Sequence, residues 1–258
     1  MDLSVVIPVK NEAGNIAPLF EEIRAALEGV IDYEVLFIDD GSKDGTAAEV
    51  LALAAARPRL RLRLLRHEES YGQSAAIRTG ITAASGVWIA TLDGDGQNDP
   101  ADIPDLWRIG CATSPSERVL IAGYREQRQD NWSKRLASRI ANATRRQLLG
   151  DNTRDTGCGL KLFARSLFLE LPYFDHMHRF LPALVLREGG NVLSVRVNHR
   201  PRRSGVSKYG VLDRLGVGII DLLGVMWLQR RATRPHILDE RASEGRKAPP
   251  CREVSASR

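Results

Sequence analysis

Short apolar segments alternate with helical segments along the first part of the chain, and this alternation limits the possible folds more than any other feature. Four runs rich in apolar and β-branched residues have the length of buried strands: Leu3–Val9, Tyr33–Ile38, Arg61–Leu65 and Val87–Leu92. Between them, apolar residues recur with a helical period in Asn11–Gly29, Thr46–Ala56 and Ser74–Ala84. This order predicts an α/β fold with a mostly parallel sheet flanked by helices.

Polar side chains follow three of the predicted strands at the point where each strand ends. These clusters are Lys10-Asn11-Glu12, Asp39-Asp40 and the run Asp93-Gly94-Asp95-Gly96-Gln97. Parallel strands end at the same edge of a sheet, and open α/β sheets bind their ligands at that edge. We therefore expect the three clusters to lie together in one site.

The third cluster has the composition of a divalent metal site. Asp93, Asp95 and Gln97 place two carboxylates and an amide oxygen on one turn, and these hard oxygen ligands suit Mg²⁺ or Mn²⁺. Such an ion binds a diphosphate and stabilises its charge when the diphosphate leaves. A solvated Asp/Gly turn is the plain alternative, but the acidic pair on the neighbouring strand end favours the metal site.

The second cluster has two interpretations. Asp39 and Asp40 could accept hydrogen bonds from the N–H of a base or from ribose hydroxyls, as acidic residues at strand ends do in other nucleotide folds. The alternative is a turn or N-cap role within the segment 39–46, for which Asp44 and Thr46 are well suited. The two interpretations can hold together for different residues.

The second half of the chain has a less regular pattern. It predicts a helix over Ile103–Ile109, a strand near Val119–Ala122, a basic helix over Trp132–Leu149, a strand over Asn191–Val197 and a helix over Val211–Gln229. The segment from Asp151 to Phe163 is predicted to be a glycine-rich loop entering a strand. We therefore expect an α/β domain over residues 1–210, an amphipathic helix over 211–230 and a polar, disordered tail over 231–258.

Composition and charge exclude several classes of protein. Hydrophobic residues make up 43% and charged residues 27% of the 258 residues, which excludes a disordered, collagen-like or coiled-coil chain. The three cysteines (Cys111, Cys158 and Cys251) form no CxxC pair and indicate a reducing compartment. No signal peptide is visible at the N-terminus, so we expect the protein in the cytosol.

Positive charge is concentrated near the C-terminus. The chain carries a formal net charge of +5, and nine Lys and Arg residues stand against two Asp residues between Arg196 and Arg234. This local excess predicts a phosphate or a membrane surface as the anionic partner, rather than a nucleic acid.

Five sequence segments together resemble a known family. VVIPVKNE, FIDDGSKDGT, LDGDGQNDP, GYR and RRSGVSKY occur in this order and are similar to the motifs of family 2 glycosyltransferases of the GT-A fold. Within that family the chain resembles the dolichol-phosphate mannose synthase-like branch, over about residues 1–230. The resemblance implies an inverting transfer of a sugar of the mannose or glucose type from a GDP- or UDP-sugar to a dolichyl or undecaprenyl phosphate.

The resemblance also assigns roles to individual residues. The residues that would border the nucleotide and its sugar are Pro8, Val9, Asn11, Glu12, Asp39, Asp40, Asp93, Gly94 and Asp95. Those that would hold Mg²⁺ or Mn²⁺ are Asp93, Asp95 and Gln97. The acceptor phosphate would meet Arg125, Arg202, Ser207 and Lys208, and the groups expected to act in catalysis are Asp95, Arg125, Arg202 and Lys208. Guanidinium and ammonium groups suit two phosphate-bearing substrates.

The acceptor is indicated by a missing motif. Family members that act on a sugar hydroxyl use an aspartate base, often in a Glu-Asp pair, which this sequence lacks at the expected place; Asp155 is the nearest candidate. A lipid phosphate needs no base, because its second pKa of ~6 leaves it largely dianionic at neutral pH. Transfer to a hydroxyl acceptor, a nucleotidyltransferase and a non-catalytic binding protein remain the alternatives.

Two further segments, residues 176–179 and Val211–Gln229, each have a functional and a purely structural interpretation. His176 and His178 are too close in sequence to share a helix face, so they indicate no metal pair, and Arg179 is expected to be structural or to contact the acceptor. The segment Val211–Gln229 is too interrupted by charge to span a membrane. Its polar residues lie on one arc, which is typical of a helix in a bilayer interface, at the cytosolic face, or of a core or dimer helix.

Overall fold

The computed structural model describes residues 1–125, 145, 147–151, 153–201 and 211–233, and only the backbone over 211–217. Its strands are β1 (Leu3–Val9), β2 (Tyr33–Asp39), β3 (Leu62–Arg66), β4 (Trp88–Thr91), β5 (Val119–Arg125), β6 (Lys161–Ala164) and β7 (Asn191–Val197). They form one sheet in the order β3-β2-β1-β4-β6-β5-β7.

Helices connect and cover the strands. In the described ranges the α-helices are α1 (Ile16–Leu27), α2 (Thr46–Ala56), α3 (Gln73–Ala83), α4 (Ile103–Cys111), α5 (Arg165–Glu170), α6 (Leu181–Arg187) and α7 (Val211–Arg230), with 3₁₀ turns at Pro100–Asp102 and Met177–Arg179. Most of the basic helix predicted over residues 132–149 lies outside the described residues, as do residues 234–258 of the predicted tail.

One strand reverses direction within an otherwise parallel sheet. β6 pairs antiparallel with both β4 and β5, whereas the pairs β1–β2, β1–β4, β2–β3 and β5–β7 are parallel. The prediction of a mostly parallel sheet is confirmed. Because β6 starts where its neighbours end, Lys161 pairs in register with Thr91 and Ala122. The first residue of β6 is thereby brought to the edge at which the polar clusters lie.

The apolar pattern of the first half corresponds to the core. Six of the seven residues of β1 are buried, as expected for a central strand covered on both faces. The apolar positions that predicted the first helix are its buried residues: Ile16, Leu19, Phe20, Ile23 and Leu27. Burying each such side chain contributes roughly 1.5–3 kcal/mol to stability.

Two predicted boundaries differ from the structure by three or more residues, and two short helices are not predicted. α1 begins at Ile16 rather than at Asn11, because Asn11 and Gly14 have positive φ angles of 51° and 86°, which a helix cannot contain. β5 continues past Ala122 to Arg125. α5 and α6 were not predicted, since helices of six and seven residues are too short to show a helical period.

The two glycines Gly80 and Gly224 give a matched test of the packing of α3. A Cβ at Gly80 would lie 2.5 Å from Val6 Cγ1 and 2.6 Å from Ile38 Cδ1, whereas a Cβ at Gly224 would meet nothing within 4 Å. We expect Gly80→Ala to lower the free energy of unfolding by about 1–3 kcal/mol through overpacking. Gly224→Ala should raise it by about 0.5–1 kcal/mol, the usual gain in a helix. Urea unfolding measures both, and a stabilising Gly80→Ala would contradict the close packing of α3 on β1 and β2.

Candidate active site

The polar clusters predicted from the sequence lie at one edge of the sheet. They follow β1, β2 and β4, whose C-terminal ends are adjacent in the parallel part of the sheet. The ends of β1 and β4 touch, because a Cβ at Gly94 would lie 2.6 Å from Val9 Cγ1 and 3.2 Å from the carbonyl oxygen of Pro8. The expected convergence of the first and third clusters is therefore observed, with the end of β5 and the start of β6 beside them.

The carboxylate of Asp93 is held from several sides. Its Oδ1 accepts a hydrogen bond of 2.9 Å from Gln73 Nε2, and the backbone N–H of Asp93 donates to Asn98 Oδ1 at 3.1 Å. A Cβ at Gly159 would collide with Asp93 Oδ2, so only glycine allows the β6 loop to pass so close. The orientation of Asp93 is thus set by groups from α3, the loop after β4 and the loop before β6.

Asp95 completes the acidic pair. The residue is almost fully buried, and its Oδ1 accepts a hydrogen bond of 3.1 Å from the backbone N–H of Gln97. Burial raises the pKa of Asp93, and the neighbouring charge of Asp95 raises it further, while Lys161 and Arg125 act in the opposite direction. Two carboxylates that repel each other in a buried loop are a favourable place for a cation.

These residues fit a bound divalent ion. In the described ranges no three His, Cys, Asp or Glu side chains come together as a ready-made metal cluster. Mg²⁺, however, is usually bound through one or two carboxylates together with substrate phosphates and water. Asp93 and Asp95 provide that number of carboxylates, and the charge of the ion would relieve their repulsion.

The loop after β1 is fixed in a left-handed backbone conformation at Asn11. Asn11 adopts a φ of 51°, its N–H donates to Ser42 Oγ at 2.8 Å, and its Oδ1 accepts from the N–H of Lys43 at 2.8 Å. The N–H of Glu12 donates to Thr46 Oγ1 at 2.8 Å. Positive φ at a residue other than glycine is found often at ligand sites, and here it joins the loops after β1 and β2.

Asp40 fixes the segment that leads into α3. Its carboxylate accepts from Ser70 Oγ at 2.7 Å, from the N–H groups of Tyr71 and Gly72 at 2.9 Å, and is 2.8 Å from His67 Nδ1. Burial alone would raise the pKa of Asp40, but these hydrogen bonds bring it below its ordinary value. Asp40 therefore has a clear structural role, and its predicted contact with the nucleotide stays a prediction.

Asp39 has a similar role one residue earlier. It is fully buried, and its carboxylate accepts from the N–H of Ser42 at 2.9 Å and from Arg66 Nε at 3.3 Å. The turn interpretation of this cluster also holds for Asp44, whose Oδ1 accepts from the N–H of Thr46 at 3.0 Å. Both acidic residues thus order the loop beside the site.

Arg125 and Asp155 form a buried ion pair. The guanidinium donates through Nε at 2.6 Å and Nη2 at 3.0 Å to the two carboxylate oxygens, and only 12% and 9% of the two side chains is exposed. Both oxygens of Asp155, the one candidate base considered from the sequence, are therefore hydrogen-bonded. The positive charge of Arg125 also lowers the pKa of Asp93, so the pair is electrostatically coupled to the acidic loop, residues 93–97.

Lys161 is a site residue that the sequence interpretation missed. It is buried, and its ammonium donates to the carbonyl oxygen of Cys158. Burial lowers the pKa of Lys161, whereas Cys158, Asp93 and Asp155 raise it. The only signal in the sequence is a lysine at the start of an apolar run, and its importance depends on the antiparallel direction of β6.

Three residues of the predicted phosphate site belong to the segment that follows Pro201. Arg202, Ser207 and Lys208 lie outside the described residues. The chain enters that segment beside the acidic loop, because the N–H of Arg200 donates to the carbonyl oxygen of Gln97 at 3.0 Å and Arg200 Nη2 donates to that of Asn98 at 3.0 Å. The roles of these three residues stay predictions.

The turn containing His176 and His178 contacts α3 and α7. His178 Nδ1 is 2.7 Å from Ser74 Oγ, and His176 Nδ1 is 3.1 Å from Asp221 Oδ2. The two rings thus have separate partners on different helices. The sequence shows neither contact, because the partners are 104 and 45 residues away.

His178 makes a pH-dependent contribution to stability. Burial, together with the charges of Arg179, Lys161 and His176, lowers its pKa from 6.5 to about 3. In the unfolded chain His178 binds a proton near its ordinary pKa of 6.5, whereas in the folded chain it binds one only near pH 3. Because the unfolded state binds more protons between these two values, the free energy of unfolding falls as the pH decreases from about 6.5 to 3.

We expect His178→Asn to remove that contribution. As the pH decreases from about 6.5 to 4, the free energy of unfolding of the unchanged protein should fall more steeply than that of the variant. The difference in slope should reach up to about 1.4 kcal/mol per pH unit. Urea unfolding across this range compares the two proteins, and carboxylates that titrate in both cancel in the difference. Parallel curves would show that His178 titrates alike in the folded and unfolded chains.

Comparison with known proteins identifies the family. The model described as glycosyl transferase family 2 matches residues 4–171. A dodecaprenyl-phosphate galacturonate synthase of Rhizobium johnstonii is 36% identical over 91% of this chain and 69% of its own length. An undecaprenyl-phosphate 4-deoxy-4-formamido-L-arabinose transferase of Edwardsiella ictaluri is 34% identical over 83% of this chain and 65% of its own length. The chain thus spans about two thirds of the relatives it matches.

Solved structures show the same fold. A glucosyl-3-phosphoglycerate synthase of Mycobacterium tuberculosis, in complex with Mn²⁺, uridine-diphosphate-glucose and phosphoglyceric acid, aligns with a TM-score of 0.62 at 20% identity, covering 88% of this chain and 79% of that one. The expected GT-A fold, a mixed sheet between helices, is confirmed. By the family model and by these relatives, this chain belongs to glycosyl transferase family 2.

Proposed function

We propose that the protein transfers a sugar from a nucleoside diphosphate to a polyprenyl phosphate, with inversion at the anomeric carbon. The relatives are named for dodecaprenyl and undecaprenyl phosphate. The observation that carries the proposal is the ion pair of Asp155 with Arg125, which occupies both oxygens of the candidate base. An acceptor that needs no base fits this site better than a hydroxyl does.

A polyprenyl phosphate has the required chemistry. Its second pKa of ~6 leaves it largely dianionic at neutral pH, so its oxygen can attack the anomeric carbon without losing a proton. The chain's own groups then have to orient the two substrates and balance their charge. Arg125 is proposed for the acceptor phosphate, together with Arg202, Ser207 and Lys208 from outside the described residues.

The donor would lie over the ends of β1, β2 and β4. We assign the nucleotide and sugar contacts to these residues: Pro8, Val9, Asn11, Glu12, Asp39, Asp40, Asp93, Gly94 and Asp95. Asp93, Asp95 and Gln97 would hold Mg²⁺ or Mn²⁺, which neutralises the charge of the leaving diphosphate. Complexes of the mycobacterial neighbour with Mn²⁺ and UDP, and with Mg²⁺ and UDP, support such an ion.

The proposed donor is a sugar linked to uridine or guanosine diphosphate. UDP in the neighbours favours a uridine nucleotide, and GDP was the other expectation from the sequence. Mannose or glucose was expected as the sugar, whereas the relatives are named for galacturonate and 4-deoxy-4-formamido-L-arabinose. All four sugar types therefore belong in a donor panel.

A membrane surface is the proposed place of action, and α7 provides the contact. Ile219, Ile220, Leu223 and Trp227 are 56%, 72%, 59% and 60% exposed on one side of this helix. The opposite side packs on the domain through Val225, through Asp221 with His176, and through Gln229, whose amide donates to the carbonyl oxygen of Leu149 at 3.0 Å.

The exposed apolar residues Ile219, Ile220, Leu223 and Trp227 form a stripe along α7. Positive charge beside this stripe favours binding to anionic lipid. Arg230 and Arg231 are exposed at the end of α7, and basic groups next to an apolar stripe suit a negatively charged bilayer interface. Within the described part of the chain, none of the helices has the length and apolar content needed to cross a bilayer. The association that we propose is peripheral, through the exposed apolar side of α7.

Charged substitutions in the stripe test this contact. Ile220→Glu combined with Leu223→Glu should weaken binding to vesicles containing anionic lipid by at least about tenfold, since each buried aliphatic side chain is worth roughly 1.5–3 kcal/mol. Leu51→Glu on α2, 57% exposed in the unchanged protein, is the matched control and should bind as before. Vesicle sedimentation measures binding. Unchanged sedimentation of the double variant, or a stripe-dependent dimer without lipid binding, would refute the membrane contact.

The acceptor class is tested by release of the nucleoside diphosphate. The protein is incubated with Mn²⁺, each donor, and either undecaprenyl phosphate, undecaprenol or a free sugar as acceptor. We expect release that depends on the lipid phosphate and is absent with the alcohol or the sugar. Release with the alcohol or the sugar and none with the phosphate would replace this proposal with transfer to a hydroxyl.

A further inference from the structure

One side chain from α3 reaches the acidic loop. Gln73 is the first residue of α3, and its Nε2 donates to Asp93 Oδ1 at 2.9 Å. The opposite carboxylate oxygen, Oδ2, packs against Gly159. Since a carboxylate has one rotatable plane, contacts at both oxygens determine how it faces a ligand. Gln73 is therefore one of the groups that fix the orientation of Asp93.

Ser74 ties the start of α3 to the 176–178 turn. The hydroxyl of Ser74 accepts from the backbone N–H of His178 at 3.3 Å and is 2.7 Å from His178 Nδ1. Ser74 is buried, and so is Met177 in the middle of the turn. The first turn of α3 is thus held by a residue more than one hundred positions later in the chain.

The 176–178 turn is itself anchored from α7. His176 has a left-handed backbone with a φ of 63°, a conformation that persists only where surrounding contacts impose it. Its ring is 3.1 Å from Asp221 Oδ2 on α7. A continuous series of contacts therefore runs from α7 through the turn and the start of α3 to Asp93.

We infer that Gln73 and His178 are positioning residues for the nucleotide-sugar donor, with His178 acting through Ser74 on Gln73 and Gln73 acting on Asp93. This inference rests on the proposed function, because Asp93 is assigned there to the cation and diphosphate. It implies that the 176–178 turn, which is distant in sequence from residues 93–97, contributes to the affinity of the donor site.

The alternative is a purely structural contact. Loss of the Ser74–His178 hydrogen bonds would then lower stability and leave the affinity of the folded protein for nucleotide unchanged. Stability and affinity are therefore measured separately for each variant. Asparagine at position 178 can place an amide oxygen near the position of Nδ1, so it can accept from Ser74, whereas leucine cannot.

The test is calorimetric titration of the full chain with UDP and with GDP in the presence and absence of Mn²⁺. We expect Gln73→Leu and His178→Leu each to weaken Mn²⁺-dependent binding by about tenfold, as for loss of one hydrogen bond to a charged group. His178→Asn should stay within about threefold of the unchanged protein. The double variant Gln73→Leu/His178→Leu should bind nucleotide about as tightly as the weaker-binding single variant, since both residues act through one contact.

A control separates affinity from loss of stability. Val35→Ala removes buried volume near the start of β2, outside the series of contacts from α7 to Asp93, and should lower the midpoint of urea unfolding without changing nucleotide affinity. Unchanged affinity in folded His178→Leu, or equal weakening by His178→Asn, would overturn the positioning role. If neither nucleotide binds the unchanged protein with Mn²⁺, the proposed function fails and this inference fails with it.

Discussion

Asp95→Ala should lower the rate of sugar transfer by about 10²–10³-fold, the usual effect of losing one group that stabilises developing charge. Asp95 is almost fully buried in the acidic loop and supplies one of its two carboxylates. Without it, Mn²⁺-dependent binding of nucleotide should also weaken, because the ion would keep one carboxylate ligand instead of two. Transfer is measured with saturating donor and binding by calorimetry.

The control for this substitution is Asp105→Ala. Asp105 lies on α4, 62% of its side chain is exposed, and its partner Arg108 is three residues away on the same helix. The exposed pair contributes at most about 1 kcal/mol to stability, and we expect no change in transfer. Full activity of Asp95→Ala, with nucleotide binding still dependent on Mn²⁺, would rule out the assigned role of the acidic loop.

The second large effect is expected at the buried ion pair. Asp155→Ala would leave the guanidinium of Arg125 buried without its bidentate partner, which typically costs about 3–5 kcal/mol of stability. Arg125→Met in the same chain should recover much of this loss, because the unpaired charge is removed as well. Urea unfolding of the two single variants and the double variant gives the coupling energy between Asp155 and Arg125.

A small effect would contradict this account of the pair. If Asp155→Ala lowered the free energy of unfolding by no more than the exposed pair does, about 1 kcal/mol or less, the pair would be solvated rather than buried. Asp155 would then be open to act as a base, and a hydroxyl acceptor would regain support.

Features that depend on local pattern could be predicted from the sequence. The strands β1 and β2 and the helix α2 follow from apolar periodicity, which is set by the residues themselves. The gathering of Lys10–Glu12 and Asp93–Gln97 at one edge follows from the rule that parallel strands end together. The metal and nucleotide roles of these residues remain predictions.

Features that depend on distant partners could not be predicted. The bidentate partner of Arg125 is 30 residues away, and the partner of Ser74 is 104 residues away. Lys161 reaches the site only because β6 runs antiparallel between β4 and β5, and strand direction is not visible in an apolar run of four residues. Likewise, hydrogen bonds to Asp40 come from a segment beyond β3.

The helix α7 could be predicted only in part, because one of its features depends on local pattern and another on distant partners. Its polar arc could be read from the sequence, but not which side would face the domain. In the structure Asp221 and Gln229 face inward and form hydrogen bonds, so the apolar side points outward. This arrangement favours the interfacial interpretation over a core helix. The division of the chain at residues 210 and 230 stays a prediction.

The most direct test of the central claim is formation of a labelled lipid. Purified protein is mixed with Mn²⁺ or Mg²⁺, undecaprenyl or dolichyl phosphate, and a panel of radiolabelled UDP- and GDP-sugars, with Asp95→Ala as the control. We expect label from one donor to become extractable into organic solvent, to require the lipid phosphate and the metal, and to disappear in the variant. Metal-dependent nucleotide binding without labelled lipid from any donor would contradict transfer to a polyprenyl phosphate.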